Sequence, residues 1–133
     1  MRGEVVTFPQ VYAGIETARL LDAYARGPER IRRALRGLDD EQLRARPIQD
    51  KWSAFEIGMH VADSELVGAV RMRMVLGAGS EPTLPLYDQD RWSRELRYQE
   101  ADAAELDGAL DLLAGLRATT LPLLTAASAD DWT

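Results

Sequence analysis

The stretch Lys51-Trp52-Ser53-Ala54-Phe55-Glu56-Ile57-Gly58-Met59-His60-Val61-Ala62-Asp63-Ser64-Glu65 decides how this chain is read. Ser53 followed three residues later by Glu56 has the spacing of a capping box, in which each side chain takes the other residue's backbone amide. From there Phe55, Met59, Ala62, Leu66, Ala69 and Val70 recur at three- and four-residue steps. That period predicts an amphipathic helix with these residues on one face, running to about Leu76. Gly77-Ala78-Gly79 ends it.

The pattern extends in both directions. Upstream, Leu20/Leu21, Tyr24, Pro28, Ile31, Leu35 and Leu38 form another stripe. It keeps its phase across Gly27-Pro28, which predicts one helix kinked at the proline rather than two. Gly37 is its expected stop. Asp39-Asp40-Glu41-Gln42-Leu43 reads as a short capped turn, and Arg44 to Asp50 as loop. Downstream, residues 77–90 hold Pro82 and Pro85, a loop long enough to cover something. Asp90 to Leu96 reads as a short helical turn. Asp102-Ala103-Ala104-Glu105 then caps a third long helix through Leu123/Leu124, with Pro122 straining its last turns. No segment alternates like a strand. The expected class is all-α.

Leu35-Arg36-Gly37-Leu38-Asp39-Asp40-Glu41-Gln42-Leu43 also aligns with Leu124-Thr125-Ala126-Ala127-Ser128-Ala129-Asp130-Asp131-Trp132. Each is a helix end, a polar cap, an acidic turn and a large apolar anchor. The first copy leads into the helix with His60, whereas the second is followed only by Thr133. This repeat predicts a bundle whose fourth helix is announced but absent.

Composition narrows the function. The 133 residues suit one domain, 1–133, and 46% are apolar, enough for one core. With Lys and Arg at 16 and Asp and Glu at 22, the net charge is −6. That balance argues against nucleic acid or an anionic membrane as partner. There is no cysteine, which excludes disulfides, thiolate nucleophiles and thiolate metal sites. Residues 1–9 lack the apolar core of a signal peptide, and no run approaches the roughly 18 apolar residues of a membrane span. The expectation is a cytoplasmic protein.

His60 is the single histidine, with Glu56 and Asp63 one turn away on its helix. A histidine so flanked reads as a metal ligand oriented by an acid, as a general base tuned by one, or as a half-buried residue satisfied by Asp63 or a carbonyl. Glu56 has a rival task in the capping box. Trp52 reads either as a staple against the first helical turn or as a pocket wall. Pro85-Leu86-Tyr87-Asp88-Gln89-Asp90-Arg91-Trp92 is the densest polar and aromatic cluster. It is either a lid bringing Tyr87, Asp88 and Asp90 over a site or a capped turn with Trp92 buried.

Taken together, Tyr24-Ala25-Arg26-Gly27-Pro28, the 35–43 turn, Lys51-Trp52-Ser53 and His60-Val61-Ala62-Asp63-Ser64-Glu65 resemble the DinB-like superfamily. The 84–92 loop looks most like its YfiT-type branch of metalloenzymes. The resemblance runs from about Ala18 to Trp132. It implies an up-down four-helix bundle, here three long helices with the fourth missing or supplied by another chain. It also implies a homodimer and a divalent metal, zinc or nickel, held by three histidines. His60 matches the first of these; the His-x-x-x-His pair of the last helix has no counterpart. Related activities are transfer of a low-molecular-weight thiol (bacillithiol, mycothiol or glutathione) to a small-molecule substrate, and metal-dependent hydrolysis. With one histidine the chain is expected to be catalytically incomplete unless Asp63, Asp88, Asp90 or a second chain completes the site. The rival expectation is a non-catalytic helical module that binds a small ligand or a protein partner.

Overall fold

The computed structural model describes residues 15–78, 81–128 and 130–132. Within them lie α1 (Thr17–Leu35), α2 (Asp40–Arg44), α3 (Ala54–Gly77), α4 (Gln89–Glu95) and α5 (Ala103–Ala126). Two 3₁₀ turns complete the set, Tyr98–Glu100 and Asp130–Trp132. No strand occurs among the described residues, as an all-α chain requires. Residues 1–14 are outside the description, and with them the reading of residues 1–9.

Local signals act as their chemistry dictates. Ser53 and Glu56 close a capping box on α3, and Asp102 and Glu105 close one on α5. The α1 stripe ends at Leu35, and Gly37 follows with a φ of +82°, a conformation glycine adopts without strain. Helix α1 runs on through Pro28. A proline at that position cannot donate to the Tyr24 carbonyl one turn back. Arg117 Nη1 from α5 donates to it instead, at 2.9 Å. Gly27 makes room, since a Cβ there would collide with the same nitrogen.

Phe55, Ala101, Leu106 and Leu110 form the buried centre, with Ile31, Leu35, Leu43 and Met59 packed against it. Helix α5 is the shared neighbour, lying against both α1 and α3. The α3 face is only partly as its period suggests. Phe55, Ala62 and Ala69 are buried, but Leu66 and Val70 are exposed, because the stripe is wider than the contact with α5.

Connectivity departs from the up-down expectation. Gly58 approaches Leu106, Glu65 pairs with Arg117, and Arg73 bonds Thr119 and Thr120. Numbers rise together, so α3 and α5 are parallel, whereas Arg32 with Asp107 and Asp111 makes α1 antiparallel to α5. A parallel pair needs a connection that returns along the first helix. At 1.5 Å per residue the 24-residue α3 is roughly 36 Å long. The segment between α3 and α5 covers that return, which accounts for its length.

Ala103–Ala126 is also long and apolar enough to cross a membrane by length and composition, correcting the expectation that no run approaches a span. Its contacts are those of a bundle helix. Asp107 and Asp111 reach Arg32, and Arg117 meets Glu65. The second copy of the capped turn forms as well. Ser128 N–H donates to Asp131, as Asp39 N–H donates to Gln42 in the first copy.

Candidate functional site

Residues 56, 60, 63, 67 and 71 follow one another by three and four, so they share the side of α3 turned away from α5. The return segment runs along this side. Ser93 Oγ donates to Glu56 Oε2 at 3.3 Å, and the buried Tyr98 hydroxyl donates to Asp63 Oδ2. Near the other end of α3, Arg71 Nε and Nη2 donate to the Pro85 carbonyl at 2.8 and 2.6 Å. The chain thus passes from Arg71 back towards Glu56, then doubles back so that Tyr98 reaches Asp63.

His60 lies among these fastenings. Its ring is 4.7 Å from that of Trp52, and its Nδ1 is buried with no hydrogen-bond partner among the described residues. Burial holds the imidazole pKa below its ordinary value, against the opposing pull of the Asp63 and Asp90 carboxylates. The neutral ring, the form that binds metals or accepts a proton, is therefore favoured. Tyr87 packs on Trp92 with ring centroids 4.6 Å apart, and Arg71 stands 6.0 Å over Tyr87.

The flanking carboxylates differ. Glu56 is almost fully buried. Burial works to raise its pKa, but hydrogen bonds from Arg46, at 2.8 Å, and from the Ser53 amide outweigh that and hold it low. Its oxygens serve Arg46, Ser53 and Ser93, so the capping task is the one the structure shows. Burial and the Asp63 hydrogen bond push the Tyr98 hydroxyl pKa far up, so it stays a donor. Asp88 caps α4 by accepting from the Arg91 amide at 2.9 Å. Trp92 is half-buried beside that cap, and Asp90 lies in the electrostatic surroundings of His60.

Residues 23–133 match the DinB superfamily. The chain belongs to the DinB superfamily. The solved structure of YfiT from Bacillus subtilis, described as "a probable metal-dependent hydrolase with an unusual four-helix bundle topology", superposes on this DinB chain with a TM-score of 0.77. The match covers 98% of this chain and 69% of that one, at 22% identity, and shows the fold. A curated relative from Oceanobacillus iheyensis, named "Putative metal-dependent hydrolase OB0413", is 27% identical over 90 residues. Those residues are 68% of this chain and 48% of the relative, so the chain spans about half its length.

The donor set of this DinB chain was tested against a metal. Among the described residues, no three His, Asp or Glu groups stand close enough to hold one. Asp63, Asp88 and Asp90 therefore do not form such a cluster with His60 among the described residues. Tyr98 takes one Asp63 oxygen, and Asp88 is committed to its helix cap. His60, with its unpartnered nitrogen, is a single donor, and these residues alone do not fit a metal centre.

Tyr98, and the partner of Arg71, escaped the sequence reading of this candidate site. Tyr98 follows Arg97, whose φ of +54° is left-handed, and no periodicity marks such a turn. Arg71 is on the His60 face, but its partner is a carbonyl, which carries no residue signature. A second buried cluster stands apart on the α1/α5 side of α3. The Tyr24 hydroxyl donates to Glu65, which pairs with Arg117 at 2.9 Å. Burial and that bond raise the Tyr24 pKa to about 12. Every member has a partner, so this cluster reads as a structural tie.

Proposed function

We propose that the His60 side of α3 is the functional face of a DinB-type, metal-dependent hydrolase or thiol S-transferase to which this chain contributes one metal-binding histidine. One observation carries the reading. The polar residues around His60 on this face are fastened to the return segment, while His60 Nδ1 is buried without a partner. Leaving a buried polar atom unpaired is costly, so such an atom at a favourably neutral histidine is best explained by a ligand. The names of the related proteins, both metal-dependent hydrolases, support a metal; zinc or nickel as that metal, and a low-molecular-weight thiol as cosubstrate on the transferase branch, belong to the proposal itself. When bound, the metal would supply Lewis acidity to a water or thiol. The chain's own contributions are separate from that. Trp52 walls one side of the imidazole, Tyr98 keeps the Asp63 carboxylate in place, and Tyr87 and Trp92 pack on each other in the return segment that runs along the same side.

Among the described residues His60 has no two further ligands beside it, so in this reading activity requires that other residues or a second chain complete the site. A cytoplasmic homodimer acting on a small molecule belongs to the same reading. The test is metal content per chain by elemental mass spectrometry, for the wild type and His60→Ala after exposure to zinc or nickel. Metal lost on substitution supports the proposal. Equal metal in both removes His60 from it. The lack of a three-ligand cluster also favours a second reading, a module that binds a small ligand without metal. No metal in either protein, with a ligand whose binding His60→Ala abolishes, selects that reading.

A further inference from the structure

We propose that Arg71 is a positioning residue that keeps residues 81–88 folded down and so governs access to His60. The inference rests on the reading of His60 as the functional group, and it begins from how unevenly the return segment is held. Its later part is tied in the interior, where Ser93 and Tyr98 are buried and bonded to Glu56 and Asp63. Its earlier part has no such anchor. Leu84 and Leu86 are exposed, Leu86 almost completely, and Pro82 and Pro85 have no amide to give. Among the described residues, 81–87 make no backbone–backbone hydrogen bond outside helices. Their polar tie is the Arg71 guanidinium, which grips the Pro85 carbonyl through two donors while standing over the Tyr87 ring.

The geometry makes that tie a release point. It is exposed to solvent, where exchanging a protein hydrogen bond for one to water costs little. The Ser93 and Tyr98 ties are interior and persist when it opens. Letting go of Pro85 frees 81–87 while α4 and the Tyr98 turn stay in place. Tyr87 then parts from Trp92, and in this proposal the way to His60 along the same side of α3 opens. Arginine suits this position because its planar fork presents two parallel donors to one carbonyl, a grip that lysine cannot reproduce.

The single histidine makes the test direct. Diethyl pyrocarbonate modifies accessible, neutral imidazole, and peptide mass mapping reads its addition at His60. In the full chain, Arg71→Met should raise the His60 modification rate several-fold. Chymotryptic cleavage after Leu86 or Tyr87 should accelerate with it, while the thermal midpoint stays near that of the wild type. Arg71→Lys should fall between the two, and it carries the test alone if the methionine variant does not fold. Wild-type rates of modification and cleavage in both folded variants would overturn the proposal. Faster cleavage without faster modification would also overturn it, since the loop would then not govern His60. The cleavage arm needs no metal and no substrate. Failure of the His60 reading therefore shows separately, as zinc content that His60→Ala leaves unchanged.

Discussion

At the scale of the residue, the densest bargain is struck around Gly27 and Pro28. Pro28 deprives the Tyr24 carbonyl of its helical donor, and Gly27 lacks the side chain that would keep Arg117 away. Arg117 meets both openings, donating to that carbonyl and to the buried Glu65 carboxylate while lying 4.5 Å over the Tyr24 ring. Arg117→Met leaves the Tyr24 carbonyl without its donor and the buried Glu65 carboxylate without its counter-charge, with only the Tyr24 hydroxyl still bonded to it. We expect it to cost about 3–5 kcal/mol, the range for removing one partner of a buried ion pair. The exposed carboxylate partners of Arg32 predict a loss below about 1 kcal/mol for Arg32→Met. Urea unfolding of the two variants measures the difference. The pair Gly27-Pro28 was legible as a disturbance of the α1 stripe. Its repair was not, because Arg117 lies on α5, far away in sequence.

At the scale of the element, α3 is built by its first turn. The Ser53 hydroxyl accepts from the Glu56 amide, and Glu56 returns the contact while bonding Arg46 and Ser93. Ser53→Ala should therefore cost about 1 kcal/mol for the lost cap. It should also loosen the turn that holds Trp52 and Glu56 beside His60. Asp102→Ala at the start of α5 should cost a similar amount. It should leave the reactivity of His60 towards diethyl pyrocarbonate unchanged, because no hydrogen bond links Asp102 to that face. Denaturation midpoints and His60 modification rates on both variants check the pair. Elements of this kind were readable in advance, since a capping box is local chemistry written in four residues. The Tyr98–Glu100 turn was not, since its stability lies in Arg44 bonding the Gln99 and Ala101 carbonyls across the fold.

At the scale of the whole molecule, large apolar side chains stay uncovered on two of the long helices. Leu66 and Val70 on α3 and Leu112 and Leu123 on α5 are all exposed. Burying apolar area is the dominant drive to association, so we expect a homodimer in sedimentation equilibrium, weakened by Val70→Glu or Leu112→Glu. A concentration-independent monomer contradicts that expectation. The sequence by itself determined the helices, their caps, the superfamily and His60 as the residue to watch. Each of these depends on neighbours within a few positions or on a recognisable motif. Only the tertiary structure decided that α3 and α5 run parallel, and that the segment between them lies along the outer side of α3. It alone showed that Asp63 belongs to Tyr98, that Arg71 holds Pro85, and that His60 Nδ1 is left without a partner. The reason is physical. Periodicity and capping record which side of a helix is apolar and where it starts, but a hydrogen bond between a side chain and a distant carbonyl exists only once the core has set the helices side by side.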